Sequence, residues 1–215
     1  MDEVVIRKYK EEDRSFVRDI AWKTAFIGEP ASAFFDDREI LDDFLTLYFT
    51  DYEPESCFVA EVNGEVVGYV TGAKNSYTLK NIFLTKIIWR LLLKSTINGA
   101  MFTKKNIFFI LHLLLSFLKG EFKQPNFSKN YPAILHINVK TGFRNLGNGS
   151  RLISVYLDYL CQERIPGVHL ATMSKEASRF FNKQGFHLLY EGRRSYFNYL
   201  LYRDIPIYIL GKRLE

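Results

Sequence analysis

The sequence has 215 residues, of which 47% are hydrophobic and 25% charged, and its formal net charge is +5. This length and composition are typical of one globular domain that buries most of its apolar surface, and they exclude a disordered chain. The charge is smaller than nucleic-acid binders usually carry, so no nucleic-acid partner is predicted. Two cysteines, Cys57 and Cys161, are too few for a disulfide framework.

Two further features concern the cellular compartment. The first residues, MDEVVIRKYK, lack the apolar core of a secretion signal, so we expect a cytoplasmic protein with reduced thiols. The longest apolar run, at 107–118, is shorter than the roughly 20 residues that a membrane-spanning helix needs. This run therefore predicts a buried or interfacial helix.

The first third of the chain predicts a strand, two helices and a hairpin. VVIRKY is typical of a strand, and a second helix is predicted around DREILDDFLTLYF. In CFVAEVNGEVVGYVTGA, two strand-like runs are joined by Asn63-Gly64, a dipeptide that accepts the positive φ angles of a tight turn. The helix after the first strand has an apolar face formed by Phe16, Val17, Ile20 and Ala21.

Residues 79–130 differ from their surroundings in pattern and charge. Two crowded apolar runs predict two helices with a break at Asn98-Gly99, and the first run repeats basic residues on one face, at Lys86, Arg90 and Lys94. The segment has nine basic residues and one acidic residue, Glu121, so it holds all the positive excess of the chain. Either its helices lean on the main sheet with lysines in solvent, or they form a lid over an acidic ligand or an interfacial membrane contact.

The last third predicts alternating strands and helices. AILHINV and VHLATM are typical of strands, and Pro166 ends the helix between them, whose apolar positions are Leu152, Ile153, Tyr156, Leu157 and Leu160. Ser174 is the predicted N-cap of a short helix, and Gly185 ends it in the left-handed conformation. FHLLYE, SYFNYLLYR and PIYIL are predicted as the final strands. The pattern predicts one α+β domain, residues 1–215, with one main sheet.

The loop between AILHINV and the following helix contains two closely spaced glycines. Gly147 and Gly149 let successive amides turn toward one point, because glycine has no Cβ. At a helix start these amides favour an anion such as a phosphate, and Arg144 adds a fixed positive charge. A tight turn without a ligand is the alternative. The spacing is neither that of a Walker loop nor that of a dinucleotide fingerprint.

Two motifs resemble those of the GNAT superfamily of acyl-CoA-dependent N-acyltransferases. VKTGFRNLGNGSRLI is similar to its coenzyme A motif, through Val139, Phe143, Arg144, Gly147 and Gly149. HLATMSKEASRFFNKQGF is similar to its second motif, through Ala177, Phe180, Phe181, Gly185 and Phe186. Within the superfamily, YPAILHINV and GVHLATM are most similar to bacterial acetyltransferases related to the acetyltransferase-like domain of O-GlcNAcase.

This resemblance implies a three-layer α/β/α fold with a mixed, mostly antiparallel sheet. Residues 79–130 would be a helical insertion between the third and fourth strands. The implied cosubstrate is acetyl-CoA, and no metal is implied. The main chain of Ile137 and Val139 would pair with the pantetheine arm, and a bulge in that strand would present an amide to the thioester carbonyl. The pyrophosphate would contact Arg144, Asn145, Leu146, Gly147, Asn148, Gly149 and Ser150.

Three positions depart from the family pattern. Ser174 and Phe181 are both positions that the resemblance places against the cofactor. Ser174 stands where Asn is usual, and Phe181 stands where a tyrosine is proposed to protonate the leaving thiolate. Asn138 stands where close relatives carry an acid. His136 is the candidate base, although a hydrogen-bonded core histidine is the alternative. Other candidate proton donors are Tyr190, Tyr196 and Tyr199.

Three functions remain open at this point. The first is acetyl transfer to a small-molecule or peptide amine. The second is a coenzyme-A-binding sensor or interaction module with weak or lost catalysis. The third is an acyltransferase held on anionic lipid by residues 79–130. The aromatic tail SYFNYLLYRDIPIYIL fits a partner surface, such as that of a homodimer, as well as a sheet edge, so the oligomeric state stays open.

Overall fold

The computed structural model describes residues 4–214 as one seven-stranded sheet with helices on both faces. The strands are β1 Val4–Lys8, β2 Cys57–Val62, β3 Glu65–Ala73, β4 Ala133–Val139, β5 Gly167–Thr172, β6 His187–Arg194 and β7 Ile205–Arg213. The helices are α1 Arg14–Thr24, α2 Arg38–Leu47, α3 Ser76–Ile82, α4 Ile88–Ile97, α5 Lys104–Leu118, α6 Asn148–Gln162, α7 Lys175–Lys183 and α8 Asn198–Leu201. A π-helical turn, Phe83–Ile87, joins α3 to α4.

The strand order is β1-β2-β3-β4-β5-β7-β6, and every neighbouring pair is antiparallel except β4 with β5. The two faces of the sheet carry separate apolar cores. One core lies under α6 and α7, and it buries the five apolar residues predicted on α6. The other core lies under α1 and α2. The predicted mixed, mostly antiparallel sheet in three layers is therefore confirmed.

The central irregularity of the sheet is the separation of β4 from β5. These parallel strands pair only at Ala133–Val168 and Ile134–His169, and beyond that point they diverge. β4 stays paired to β3 as far as Val139, and β5 stays paired to β7 along its length. A wedge-shaped opening results between the second half of β4 and the end of β5. We call it the wedge.

Most local predictions in the first third are confirmed. Asn63 and Gly64 have φ angles of 51° and 80° in the turn of the β2–β3 hairpin. On α1, Val17, Ile20 and Ala21 are buried. Phe16, predicted on the same face of this helix, is 43% exposed.

The insertion forms helices between β3 and β4, as predicted, and the chain turns at Asn98-Gly99, where Gly99 has a φ of 74°. The expectation that these helices lean on the sheet with their lysines in solvent is partly wrong. They pack mainly on α2 and on an aromatic cluster around Phe34 and Phe197. Lys94 is not in solvent, because it pairs with Asp43 at 3.3 Å and also with Glu39.

The predicted strand in SYFNYLLYR is wrong. The segment is a turn followed by α8, and Tyr202 ends that helix in the left-handed conformation. Phe197 directs the chain inward, because its ring is 2% exposed and lies 4.9 Å from the rings of Phe26 and Phe34. The turn before α8 places the ring of Phe197 in the core, and a strand over this segment is not formed.

Gly72 tests the packing of α6 on the sheet. A Cβ added there would lie 1.8 Å from Tyr156 Oη and 2.6 Å from the main-chain oxygen of Ile134. We expect Gly72→Ala to lower the unfolding free energy by about 1–3 kcal/mol in urea titrations, because the added atom overpacks a rigid contact. Gly142→Ala is the control, since a Cβ at Gly142 meets no atom within 4 Å. Equal stability of the two variants would contradict the packing described.

Candidate functional site

Unpaired main-chain groups of β4 form one wall of the wedge. The amide of Lys140 donates to Val67 at 2.8 Å, which makes Val139 and Gly68 a pair without mutual hydrogen bonds. By alternation, the amide and carbonyl groups of Ile137 and Val139 point away from β3 and toward the wedge. Neither residue lies opposite a β5 partner. An extended ligand can therefore pair with β4 at the positions predicted from the sequence.

The loop after β4 presents a row of free amides to the mouth of the wedge. Asn145 and Gly147 have φ angles of 62° and 83°, and Gly147 is the N-cap of α6. Among residues 4–214, no protein acceptor takes the amide hydrogens of residues 145–150. A Cβ at Gly147 would meet nothing within 4 Å, so the approach to these amides is open. Free amides at a helix start form a site for an anion.

The side chain of Asn148 and the lack of one at Gly149 both shape this loop. Asn148 is 1% exposed and donates through Nδ2 to the main-chain oxygen of Phe143 at 2.9 Å. Its Oδ1 is buried without a hydrogen-bond donor among the described residues. Gly149 is needed for packing, because a Cβ there would lie 3.2 Å from the ring of Phe180. The two glycines therefore differ in role: Gly147 shapes the loop, and Gly149 lets α7 approach α6.

Arg144 lies at the edge of the loop. Its Nε donates to the main-chain oxygen of Val139 at 2.9 Å, and its guanidinium lies near Gly28 in the α1–α2 connection. The side chain is exposed, so a positive charge is available at the open end of β4. The predicted contact of Arg144 with a phosphate stays a prediction.

Ser174 and Phe181, both predicted to contact the cofactor, have structural contacts of their own. Ser174 caps α7, because its Oγ accepts from the amide of Ala177 at 3.1 Å and donates to Glu176 at 3.0 Å. Phe181 is 6% exposed in the core under α7, with its ring 5.7 Å from that of Phe186. Their contact with a cofactor stays a prediction.

His136 lies on the α1 face of the sheet, within a small polar group. The β3–β4 register runs without a shift, so β4 has no bulge toward β3, and His136 and Asn138 share a face. Asn138 donates to Tyr69 Oη at 2.9 Å, and the rings of Tyr69 and His136 are 6.1 Å apart. Burial lowers the pKa of His136 to about 4, so its imidazole is neutral at pH 7. A neutral imidazole can accept a proton, and the low pKa makes this one a weaker base than a solvent-exposed histidine.

The three tyrosines predicted as alternative donors lie apart from one another. Tyr196 donates to the sulfur of Met173, the residue after β5, and burial raises the pKa of Tyr196 to about 12. Tyr190 Oη donates to the main-chain oxygen of Lys123 at 3.4 Å. The ring of Tyr199 lies 4.4 Å from that of His112 of the insertion, tilted by 30°. Only Tyr196 is shown to contact the end of β5.

The structure adds one titratable residue that sequence analysis missed. Asp42 on α2 is 5% exposed, its Oδ2 accepts from Arg38 at 3.4 Å, and its Oδ1 has no partner among the described residues. Burial raises the pKa of Asp42 to about 6. The sequence pattern predicts a helix over this segment and assigns no role to Asp42.

No protein-family model and no curated protein matches this sequence. Solved structures do match its fold. SsHAT shares 21% identity over 98% of both chains, with a TM-score of 0.69. A polyamine N-acetyltransferase from Drosophila melanogaster that forms N-acetylagmatine shares 16% identity over 99% of this chain and 100% of that chain, with a TM-score of 0.64. Salmonella typhimurium yncA, solved with acetyl-CoA, shares 13% identity over 99% and 94%, with a TM-score of 0.58.

The chain therefore has the fold of the GNAT N-acetyltransferases. The specific likeness to the O-GlcNAcase-related branch stays a prediction. Within residues 4–214, no group of three or more His, Cys, Asp or Glu side chains converges as metal ligands would.

The pKa of His136 predicts a pH dependence of stability. Between about pH 6.5 and 4, the unfolded chain binds a proton on this histidine and the folded chain does not, so stability falls as the pH falls. Between pH 7 and pH 5, we expect the free energy of unfolding to fall in both proteins. The fall should be smaller in His136→Gln than in the parent, by on the order of 1 to 2 kcal/mol. Chemical denaturation at each pH measures this.

The comparison with His136→Gln is needed because Asp42 titrates in the same range with the opposite sign. Its raised pKa makes the folded chain bind the extra proton as the pH falls. Parallel pH curves for the parent and His136→Gln would contradict a lowered pKa at His136.

Proposed function

We propose that the protein is an acetyl-CoA-dependent N-acetyltransferase that transfers the acetyl group directly to an amine in a ternary complex. The observation that carries this proposal is the continuity of the wedge with the loop. The unpaired main-chain groups of Ile137 and the unpaired amide of Val139 lead to the free amides of residues 145–150. A ligand with an extended amide-bearing arm and a pyrophosphate fits both parts, and acetyl-CoA has both. The acetyl-CoA held by a structural neighbour supports this choice.

The transfer step follows from the groups in the wedge. The nitrogen of the acceptor amine attacks the thioester carbonyl carbon, the new N–C bond forms, and the C–S bond breaks. A wedge-facing amide of β4, at Ile137 or Val139, donates to the carbonyl oxygen as negative charge develops there. The amine loses a proton to His136, directly or through water, and coenzyme A leaves as a thiolate.

The absence of a hydroxyl at Phe181 removes one source of a proton for the thiolate. A thiol of ordinary pKa, about 8.5, is already a fair leaving group, so this loss slows the reaction without preventing it. Tyr196 is the replacement donor that we propose. Its raised pKa keeps the phenol protonated at neutral pH, and it lies against the residue that follows β5.

The acceptor that we propose is an amine of a small molecule or peptide, entering on the α1 face of the sheet beside His136. A neighbour that forms N-acetylagmatine supports a small amine. The alternative function is a coenzyme-A-binding module with little catalysis. It is favoured by Ser174 and Phe181, whose contacts in the structure are a helix cap and the core.

The loop's role is tested by a pair of variants that differ only in charge. Asn and Asp both tolerate the left-handed conformation that Gly147 adopts, and both add a side chain of equal size. We expect Gly147→Asp to weaken acetyl-CoA binding at least about tenfold more than Gly147→Asn, because a carboxylate repels the pyrophosphate. Isothermal titration calorimetry measures both constants.

Equal affinities for the two Gly147 variants would contradict phosphate binding at this loop. Native binding at about micromolar strength is expected. If the native protein gives no binding heat with acetyl-CoA, the proposed cofactor is wrong, and the proposed enzyme activity is wrong with it.

His136 is tested by turnover with a panel of amines. We expect His136→Gln to lower kcat/KM by about 10²–10⁴-fold while leaving acetyl-CoA affinity unchanged, because general base catalysis is worth that much. Thr78→Ala, an exposed change on α3, is the control. Full activity in His136→Gln would show that another residue is the base. Acetyl-CoA binding without turnover in the native protein would favour the coenzyme-A-binding module.

A further inference from the structure

The insertion exposes an apolar strip on α5. We call it the apolar face, and it consists of Ile107, Phe108, Leu111, Leu114, Leu115 and Leu118, each between 38% and 71% exposed. These positions recur every three or four residues, so they lie on one side of the helix. On α4, Trp89 and Leu93 are each 65% exposed. Monomeric proteins rarely leave so large an apolar strip in water.

Polar contacts at both ends of α5 fix its rotation with this face outward. Asn106 is fully buried, accepts from the amide of Asp36 at 2.9 Å and donates to Ala100 at 2.7 Å. Ser116 is also fully buried and donates to Glu121, whose carboxylate accepts from the amide of Ser195 at 2.7 Å. Turning the apolar face inward would break both sets of contacts. Its exposure is therefore a property of the fold.

The insertion that carries the apolar face is also strongly basic. Residues 76–120 contain seven basic residues and no acidic residue. Lys94 and Lys105 are paired with acids on or beside α2. Among the described residues of 76–120, Lys119 lies 4.0 Å from Glu121, and the exposed cations without an ion pair are Lys80, Lys86, Arg90 and Lys104. An exposed apolar strip with unpaired cations on the same insertion is complementary to an anionic lipid surface.

We propose that the apolar face docks this protein on an anionic bilayer. α5 has 15 residues, about 22 Å, which is less than the roughly 30 Å of a hydrocarbon core. Among residues 4–214, no helix has the length and apolar character to cross a membrane. α5 therefore lies in the plane of the surface, with its apolar side chains at the boundary between headgroups and acyl chains. A second copy of the chain fits less well, because its cations would face those of the first.

Trp89 provides a direct reporter. The chain has two tryptophans, so Trp22→Phe leaves Trp89 as the sole tryptophan, which can be excited selectively beside the tyrosines. With vesicles of phosphatidylglycerol and phosphatidylcholine, we expect a blue shift of its emission and co-sedimentation of the protein. Both effects should weaken as salt rises. Vesicles of phosphatidylcholine alone should give a much smaller response.

Matched variants separate the apolar and electrostatic contributions. Leu111→Ser with Leu114→Ser should weaken vesicle binding more than about tenfold, because two leucines leave the acyl boundary. Leu188→Ser, an equally exposed position on β6, should not change binding. Arg90→Gln should weaken binding about fivefold. Lys8→Gln, on the far edge of the sheet, is its control.

Three results would overturn the proposal. The first is no association with anionic vesicles. The second is association that the α5 variants leave unchanged. The third is a dimer in sedimentation experiments that Leu111→Ser with Leu114→Ser dissociates in the absence of any vesicle binding, which would place a second copy on this face. Because the readout is vesicle binding, it is independent of whether the protein transfers acetyl groups.

Discussion

The separation of β4 from β5 is the constraint on which the candidate site depends. β5 is paired with β7 along its whole length on one edge, and on its other edge it pairs with β4 at only two residue pairs. The short pairing itself needs Gly167, since a Cβ there would come within 2.4 Å of the main-chain oxygen of Asn130. Main-chain groups left unpaired inside a protein need a partner. The wedge therefore leaves the inner edge of β4 ready to pair with an extended ligand.

A site made largely of main-chain groups explains how the chain tolerates its departures from the family pattern. The amides of residues 145–150 and the free edge of β4 persist whatever side chains stand nearby. Replacing the usual side chains with Ser174 and Phe181 changes the cap and the core of α7, and it leaves the wedge intact. Binding and chemistry thus depend on different parts of the sequence. This is why a binding module and a slow enzyme are the two functions that remain.

Sequence patterns predicted the elements whose periodicity is long and clear, and they were wrong where tertiary contacts decide. α6 was predictable because five apolar residues repeat with helical period, and the loop was predictable because glycines allow its φ angles. SYFNYLLYR mixes aromatic residues with leucines and has no clear period, so its pattern fits a strand or a helix, and the burial of Phe197 favours the turn. Asp42 was missed for a related reason. Its burial depends on how α2 packs on α1, which no local pattern contains.

The insertion is joined mechanically to the face of the sheet that carries His136. Phe109, on the inner side of α5, lies 4.8 Å from Phe34 and 5.7 Å from Phe197. The next ring, Tyr196, packs on Phe197 at 4.6 Å and contacts Met173 beyond β5. This chain of rings connects the apolar face to the end of the wedge. A surface that holds α5 therefore also restrains the side chain that we propose as the proton donor, because interlocked rings move together.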